Sequence, residues 1–103
     1  MSRFVLHPEA YADLNEIWEY IAADNLDAAD RVLDEIRQAI NLLTRFPKTG
    51  HSRADLTSRS LRFHVVHNYV VAYAPDEKPL AVIAILHGRR NPRVLAAILN
   101  RRS

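Results

Sequence analysis

His87, Arg89 and Arg90 are the side chains here most able to do chemistry, because they follow at once on a long apolar run. In Ile85-Leu86-His87-Gly88-Arg89-Arg90-Asn91 the chain passes from core-type residues to a basic turn within two positions. Leu80 to Leu86 has the composition of a strand buried on both faces. A strand ending in His-Gly-Arg-Arg sets an imidazole and two guanidiniums at the rim of a small core, where a phosphate or an acidic partner can be gripped. Arg62, between Leu61 and Phe63, should point away from the face those two residues bury. Taken alone, it is a solvated strand residue. Signatures of other chemistries are missing: no Gly-rich phosphate loop, no Gly-x-Ser-x-Gly elbow and no His-Glu-x-x-His helix. Of the five histidines, His64 and His67 are the closest pair, and three residues apart in or near a strand they should face opposite ways. No metal site and no cofactor are expected.

The elements that must position this turn belong to one domain, since 103 residues suit a single core over 1–103. Apolar residues at 49% and charged residues at 25% are ordinary for a globular chain. The run Leu80–Leu86 is far short of the roughly 20 residues that cross a bilayer. Met1-Ser-Arg-Phe-Val-Leu runs into Pro8 and a charged helix instead of a signal-peptide core, so the cytoplasm is the expected compartment. There is no cysteine, which excludes disulfides and thiolate chemistry. The net charge of +2 hides a strong asymmetry: nine of the twelve acidic residues precede residue 36, while 45–62 and 87–102 are basic. Two surfaces of opposite sign result, and the basic one can meet nucleic acid or an acidic protein.

Arg3 to Leu6 predicts a short strand, ended by His7-Pro8, with proline suited to the first turn of a helix. Tyr11, Leu14, Trp18 and Ile21, widened by Ile17, then recur at helical steps. Asp13, Glu16 and Glu19 are expected on the wet face of that helix, and Trp18 is expected to lock it onto a sheet. Asp24-Asn25-Leu26-Asp27 supplies cap residues for a second helix running roughly to Arg45, its apolar positions Ala29, Val32, Leu33, Ile36, Ile40 and Leu43. The short link makes the two an antiparallel hairpin. Pro47 and Gly50 close the helix, a polar loop reaches Ser60, and three strands come next as an antiparallel meander turning at His67-Asn68 and Pro75–Pro79, with Leu80–Leu86 central. Val94, Leu95, Ile98 and Leu99 predict a short terminal helix. Two one-faced helices and a small antiparallel sheet hide their apolar sides only against each other, so the fold class is α+β.

Several of these features together resemble the ParE/RelE superfamily of bacterial type II toxins. They are Asp13-Leu14…Ile17…Tyr20-Ile21, Pro47-x-x-Gly50-x-x-Arg53-x-x-Leu56, Leu61-Arg62 and the Ile85–Asn91 turn. The order of elements is that of the superfamily. In the RelE branch, ribosome-dependent RNases place an arginine like Arg62 in the concave surface that holds mRNA. On that resemblance Arg62 with Arg89 or Arg90 would supply charge to a phosphorane-like transition state and His87 would carry the proton. The RelE branch also carries catalytic lysines, or a Glu with a C-terminal His or Tyr. This chain has no second lysine between Lys48 and Arg62, and no tyrosine or histidine after Arg90. The departure favours the ParE branch, associated with poisoning DNA gyrase, in which Arg62, His87, Arg89 and Arg90, with Arg53 and Lys48, would be binding residues. The resemblance also implies a cognate antitoxin, whose segment would lie in grooves along Tyr11, Leu14, Trp18, Ile36, Ile40 and Leu43. Three functions stay open at this point: a gyrase-directed toxin, a ribosome-dependent mRNA endonuclease, and a non-toxic interaction module of the same fold.

Overall fold

The computed structural model describes residues 3–102. Strand β1 (Phe4–Leu6) leads into helices α1 (Pro8–Ala22) and α2 (Leu26–Arg45). Strands β2 (Arg62–Val66), β3 (Tyr69–Ala74) and β4 (Leu80–His87) come next, and helix α3 (Pro92–Arg101) ends the chain. This is the α+β order expected from the hydrophobic pattern.

Both long helices begin where the cap residues stand. The His7 ring accepts from Glu9 N at 3.1 Å with Pro8 just behind it, and Asn25 Oδ1 accepts from Ala28 N at 3.0 Å. β2, β3 and β4 form the antiparallel meander, with Val66 opposite Tyr69 and Tyr69 opposite His87. The β2–β3 turn places His67 at φ 56° and sets its Nε2 against the Glu35 carboxylate of α2. The N-terminal strand adds a feature the expected antiparallel sheet lacks: β1 joins β4 in parallel, giving the order β1-β4-β3-β2 and a mixed sheet. Parallel pairing needs a long crossover, and the α1–α2 hairpin with the meander supplies it.

Each face of the sheet is covered. On one side Ile17, Ile36, Ile40 and Leu43 of the helical hairpin pack on Val71, Tyr73, Val82 and Ile85. On the other, Leu95 and Leu99 of α3 and Leu56 and Leu61 of the long loop pack on Phe63, Ala72, Ile83 and Leu86. β4 is therefore buried on both faces, as its unbroken apolar run requires.

One irregularity in β4 sets the direction of His87. Tyr73 pairs with Val82 but Ala72 pairs with Ala84, so an extra residue sits in β4 between the two pairs. Leu80 and Val82 face the helical hairpin, Ile83 and Ala84 both face α3, and Ile85 faces the hairpin again. Strict alternation from Val82 would turn His87 towards α3. The bulge turns it towards α1 instead.

Candidate functional site

The bulge coincides with the end of β1, beyond which β4 has no strand on that side. The exposed edge is closed by two charged side chains. Asp13 Oδ2 accepts from Ile85 N at 2.9 Å, and Arg102 Nη1 donates to Ile83 O at 3.2 Å. The two groups also bind each other in a two-point contact, Nη1 to Oδ2 at 2.6 Å and Nη2 to Oδ1 at 3.0 Å. Arg102 Nε completes the arrangement with Glu9 at 3.1 Å. Asp13 is 8% exposed and Arg102 9%. The expectation that Asp13 lies on the wet face with Glu16 and Glu19 is thus corrected: only a carboxylate turned inward can meet both an open strand edge and a buried guanidinium. The hydrogen bonds that Arg102 donates to Asp13 hold its pKa above the ordinary value.

Beyond this plug the strand ends in the basic turn. His87 Nδ1 accepts from Arg89 N at 3.2 Å, which leaves the proton of the neutral ring on Nε2. The ring stands edge-on to Tyr69 with centroids 5.5 Å apart. Gly88 N donates to Asn68 O at 2.7 Å, joining the turn to the β2–β3 hairpin. A Cβ at Gly88 would come within 3.2 Å of Val70 Cγ2 and 3.3 Å of Asn68 O, a tight fit that the neighbours could meet by giving a few tenths of an ångström. Arg90 N reaches His87 O at 3.2 Å, and Asn91 caps α3 through Arg93 N at 2.8 Å. Arg89 and Arg90 themselves are exposed, and among the described residues neither forms an ion pair.

A groove of about 300 Å³ runs from this turn along α1, lined by Glu16, Tyr20, Tyr69, His87 and Arg90 with Asp13 and Ile17 deeper in. Tyr20 is 82% exposed, whereas burial, with Tyr20 nearby, pushes the Tyr69 hydroxyl above the ordinary tyrosine range. Arg90 also borders a narrow cleft on the α3 side, across from Arg53. Arg53 is paired with Asp55 at 2.9 and 2.7 Å, so its charge is largely answered. Tyr20 and Tyr69 complete the groove, and sequence periodicity marks neither of them as functional.

Arg62 does not join this site. It pairs with Tyr73, while the opposite end of β2, Val66, pairs with Tyr69 beside His87. Four residues of strand separate the two ends, about 13 Å at the usual rise. Arg62 Nη1 donates to Gly50 O at 2.5 Å and Lys48 O at 3.3 Å, which commits it to the loop carrying Lys48. The expected grouping of Arg62 with His87, Arg89 and Arg90 around one phosphate is therefore corrected, because the strand register sends them to opposite ends of the sheet.

The residues expected to meet an antitoxin also separate. Tyr11, Leu14 and Ile40 line one apolar groove of about 270 Å³ with Phe4, Leu6 and Leu33, beside edge strand β1. Tyr11 is 61% exposed there. Ile36, at 0% exposure, and Leu43 are core and offer no surface, and Ile40, at 1%, forms only the floor of that groove, since their stripe on α2 faces the sheet directly. Trp18 lies half-buried between the helices, its Nε1 donating to Asp30 at 2.9 Å, and so locks α1 to α2 and not to the sheet as expected.

Among the described residues no group of three or more His, Asp or Glu side chains is arranged to hold a metal ion. No helix among them is long and apolar enough to cross a membrane. Fold and site together define a small α+β protein whose cationic turn, unpaired among the described residues, stands at one end of a sheet with a core on each face. The model of the ParE toxin family, toxins of type II toxin-antitoxin systems of the parDE kind, matches residues 4–92, and the chain belongs to that family. Such a toxin is one half of a pair, with a cognate antitoxin as its partner. No curated protein matches the sequence.

Proposed function

We infer that this chain is a single-domain cytoplasmic toxin that arrests growth by binding DNA gyrase through the His87–Arg90 turn. The observation that carries this reading over an mRNA endonuclease is the separation of Arg62 from His87, Arg89 and Arg90. Phosphodiester cleavage needs its cations and its acid and base within hydrogen-bond reach of one phosphate. A binding surface needs only accessible, unanswered charge at a rigid edge, which this turn has. His87 then acts as a hydrogen-bond donor through Nε2, and Tyr69 and Tyr20 extend the contact as aromatic anchors.

The antitoxin is proposed to lay an apolar segment into the groove of Tyr11, Leu14 and Ile40, with acidic residues reaching towards the basic side. Its association rate should fall as salt rises while most of the affinity persists, because screening weakens steering more than apolar burial. Stopped-flow mixing at two ionic strengths measures this, and a salt-independent rate rejects the electrostatic part. Induced expression of the chain without its partner tests the target. The expected result is growth arrest with loss of DNA supercoiling and continued translation. A translation block with ribosome-bound mRNA cut in the A site would reject the gyrase reading, and growth without effect would favour a non-toxic interaction module.

A further inference from the structure

The closure of the β4 edge stops short of the basic turn. β1 ends its pairing at Leu6 opposite Val82, and His7 N then donates to Val82 O at 2.8 Å. Past the bulge, Arg102 takes Ile83 O at 3.2 Å and Asp13 takes Ile85 N at 2.9 Å. The N–H and C=O of one strand residue project to the same side, so Ile85 O leaves β4 beside Asp13 and away from β3. His87 has the same parity, since Gly88 N turns to the other side and donates to Asn68 O at 2.7 Å. The His87 carbonyl is taken by Arg90 N at 3.2 Å. Two groups are left over: Ile85 O and His87 N have no partner among the described residues, because the β3 ladder lies on the opposite side of the strand.

This pair of groups fits one kind of neighbour. In a parallel ladder a single residue of the added strand donates its N–H to one carbonyl and accepts from the N–H two residues further on, here Ile85 O and His87 N on either side of Leu86. An antiparallel strand would exchange both bonds with Ile85 and with His87, and Ile85 N and His87 O are already engaged. The open edge therefore suits a strand running in the direction of β1, beyond the point where β1 stops. Space for it exists. The groove of about 300 Å³ is lined by Leu86, whose side chain is buried in the α3-side core, so the main chain of Leu86 is what faces the groove.

We propose that an extended segment of the toxin's target adds to β4 here as a parallel strand, with one residue opposite Leu86 and an acidic residue directly after it. This rests on the gyrase reading and adds how the target is held. The residue after the one opposite Leu86 projects to the face of His87, where Tyr20, Tyr69 and Arg90 line the groove. Glu16 stands on the α1 wall and Asp13 is answered by Arg102, so Arg90 with Arg89 outweighs the one carboxylate left. An acidic side chain on the Arg90 wall meets a guanidinium unpaired among the described residues and the Nε2 donor of His87. Main-chain bonds supply the grip, and the basic turn selects the segment.

The test is hydrogen exchange read residue by residue on the full chain, alone and with purified DNA gyrase. Alone, the His87 amide should exchange freely while the Gly88 amide, bonded to Asn68 O, is protected. With gyrase bound, exchange at His87 should slow by about tenfold or more. Affinity for gyrase gives a second readout. His87→Ala and His87→Pro both lose the imidazole but only proline removes the N–H, so His87→Pro should bind about fivefold more weakly than His87→Ala. A complex in which His87 still exchanges freely, or equal affinity of the two variants, would overturn the strand addition and leave the gyrase reading standing. Absence of any complex between gyrase and the parent chain would overturn both. Protection of His87 in the chain alone would mean that the edge is already closed, by the fold or, where protection grows with concentration, by a second copy, and would equally reject the proposal.

Discussion

Arg102 and the Arg89-Arg90 pair lie within fourteen positions of one another in the same basic tail, yet the fold uses them in opposite ways. Arg102 is nine-tenths buried, answered by Asp13 and Glu9, and bonded to the edge of β4. Arg89 and Arg90 stand in solvent, unpaired among the described residues. The difference arises from where the backbone leaves polar groups open. β4 loses its neighbour where β1 stops, and an unpaired strand edge invites charged closure. The turn after β4 closes its own backbone bonds through Gly88, His87 and Asn91, so its arginines are not drawn into the fold. One set of charges holds the strand that the other set is mounted on.

The contrast is most vulnerable at the plug. Arg102→Ala leaves the Asp13 carboxylate buried without its counter-ion and is expected to cost about 3–5 kcal/mol in urea unfolding. Asp13→Ala should cost a similar amount, whereas a double replacement by apolar residues of similar volume should be milder than either single change. A loss below about 0.5 kcal/mol for Arg102→Ala would mean that the pair is ornamental and that the contrast with Arg89-Arg90 is false.

A smaller effect is expected at the other end of the sheet. Tyr73→Phe strips the partner from Gly50 N and Pro47 O and should cost about 1–3 kcal/mol. Burial pushes the Tyr73 hydroxyl above the ordinary value of about 10, against the lowering influence of Gly50 and Arg62. A raised pKa means that the folded state favours the neutral phenol. Its contribution is full below about pH 10 and is lost as pH rises through the folded value. Alkaline unfolding followed by circular dichroism should therefore begin above about pH 10 in the parent. The phenylalanine variant, less stable near neutrality, should lose less in that range. Smaller still, Gly88→Ala should shift stability by no more than about 1 kcal/mol, since Val70 and Asn68 need give only a few tenths of an ångström.

Much of the architecture was legible because periodicity reports which face is buried. The helical stripe of α2, the apolar run of β4, the cap at Asn25 and the first-turn proline Pro8 all correspond to their elements. The basic turn was legible for the same reason, as charge directly after a core strand. Asp13 was not, because its spacing with Glu16 and Glu19 matches a wet face and its partner lies 89 residues away. Only the tertiary fold brings the two together. The direction of His87 depends on one extra residue in β4, which alternation counts wrongly unless the bulge is known. The position of Arg62 depends on strand register, so its placement beside His87 rested on family resemblance and failed on geometry.

If the free arginines, and not the buried one, form the toxic surface, the decisive measurement is growth on induction of Arg89→Ala/Arg90→Ala beside the parent chain, together with urea unfolding of the purified proteins. Stability should stay within about 0.5 kcal/mol of the parent, since exposed charges contribute little to folding, while growth arrest is lost. A folded double variant that still arrests growth as strongly as the parent would overturn the assignment of this turn.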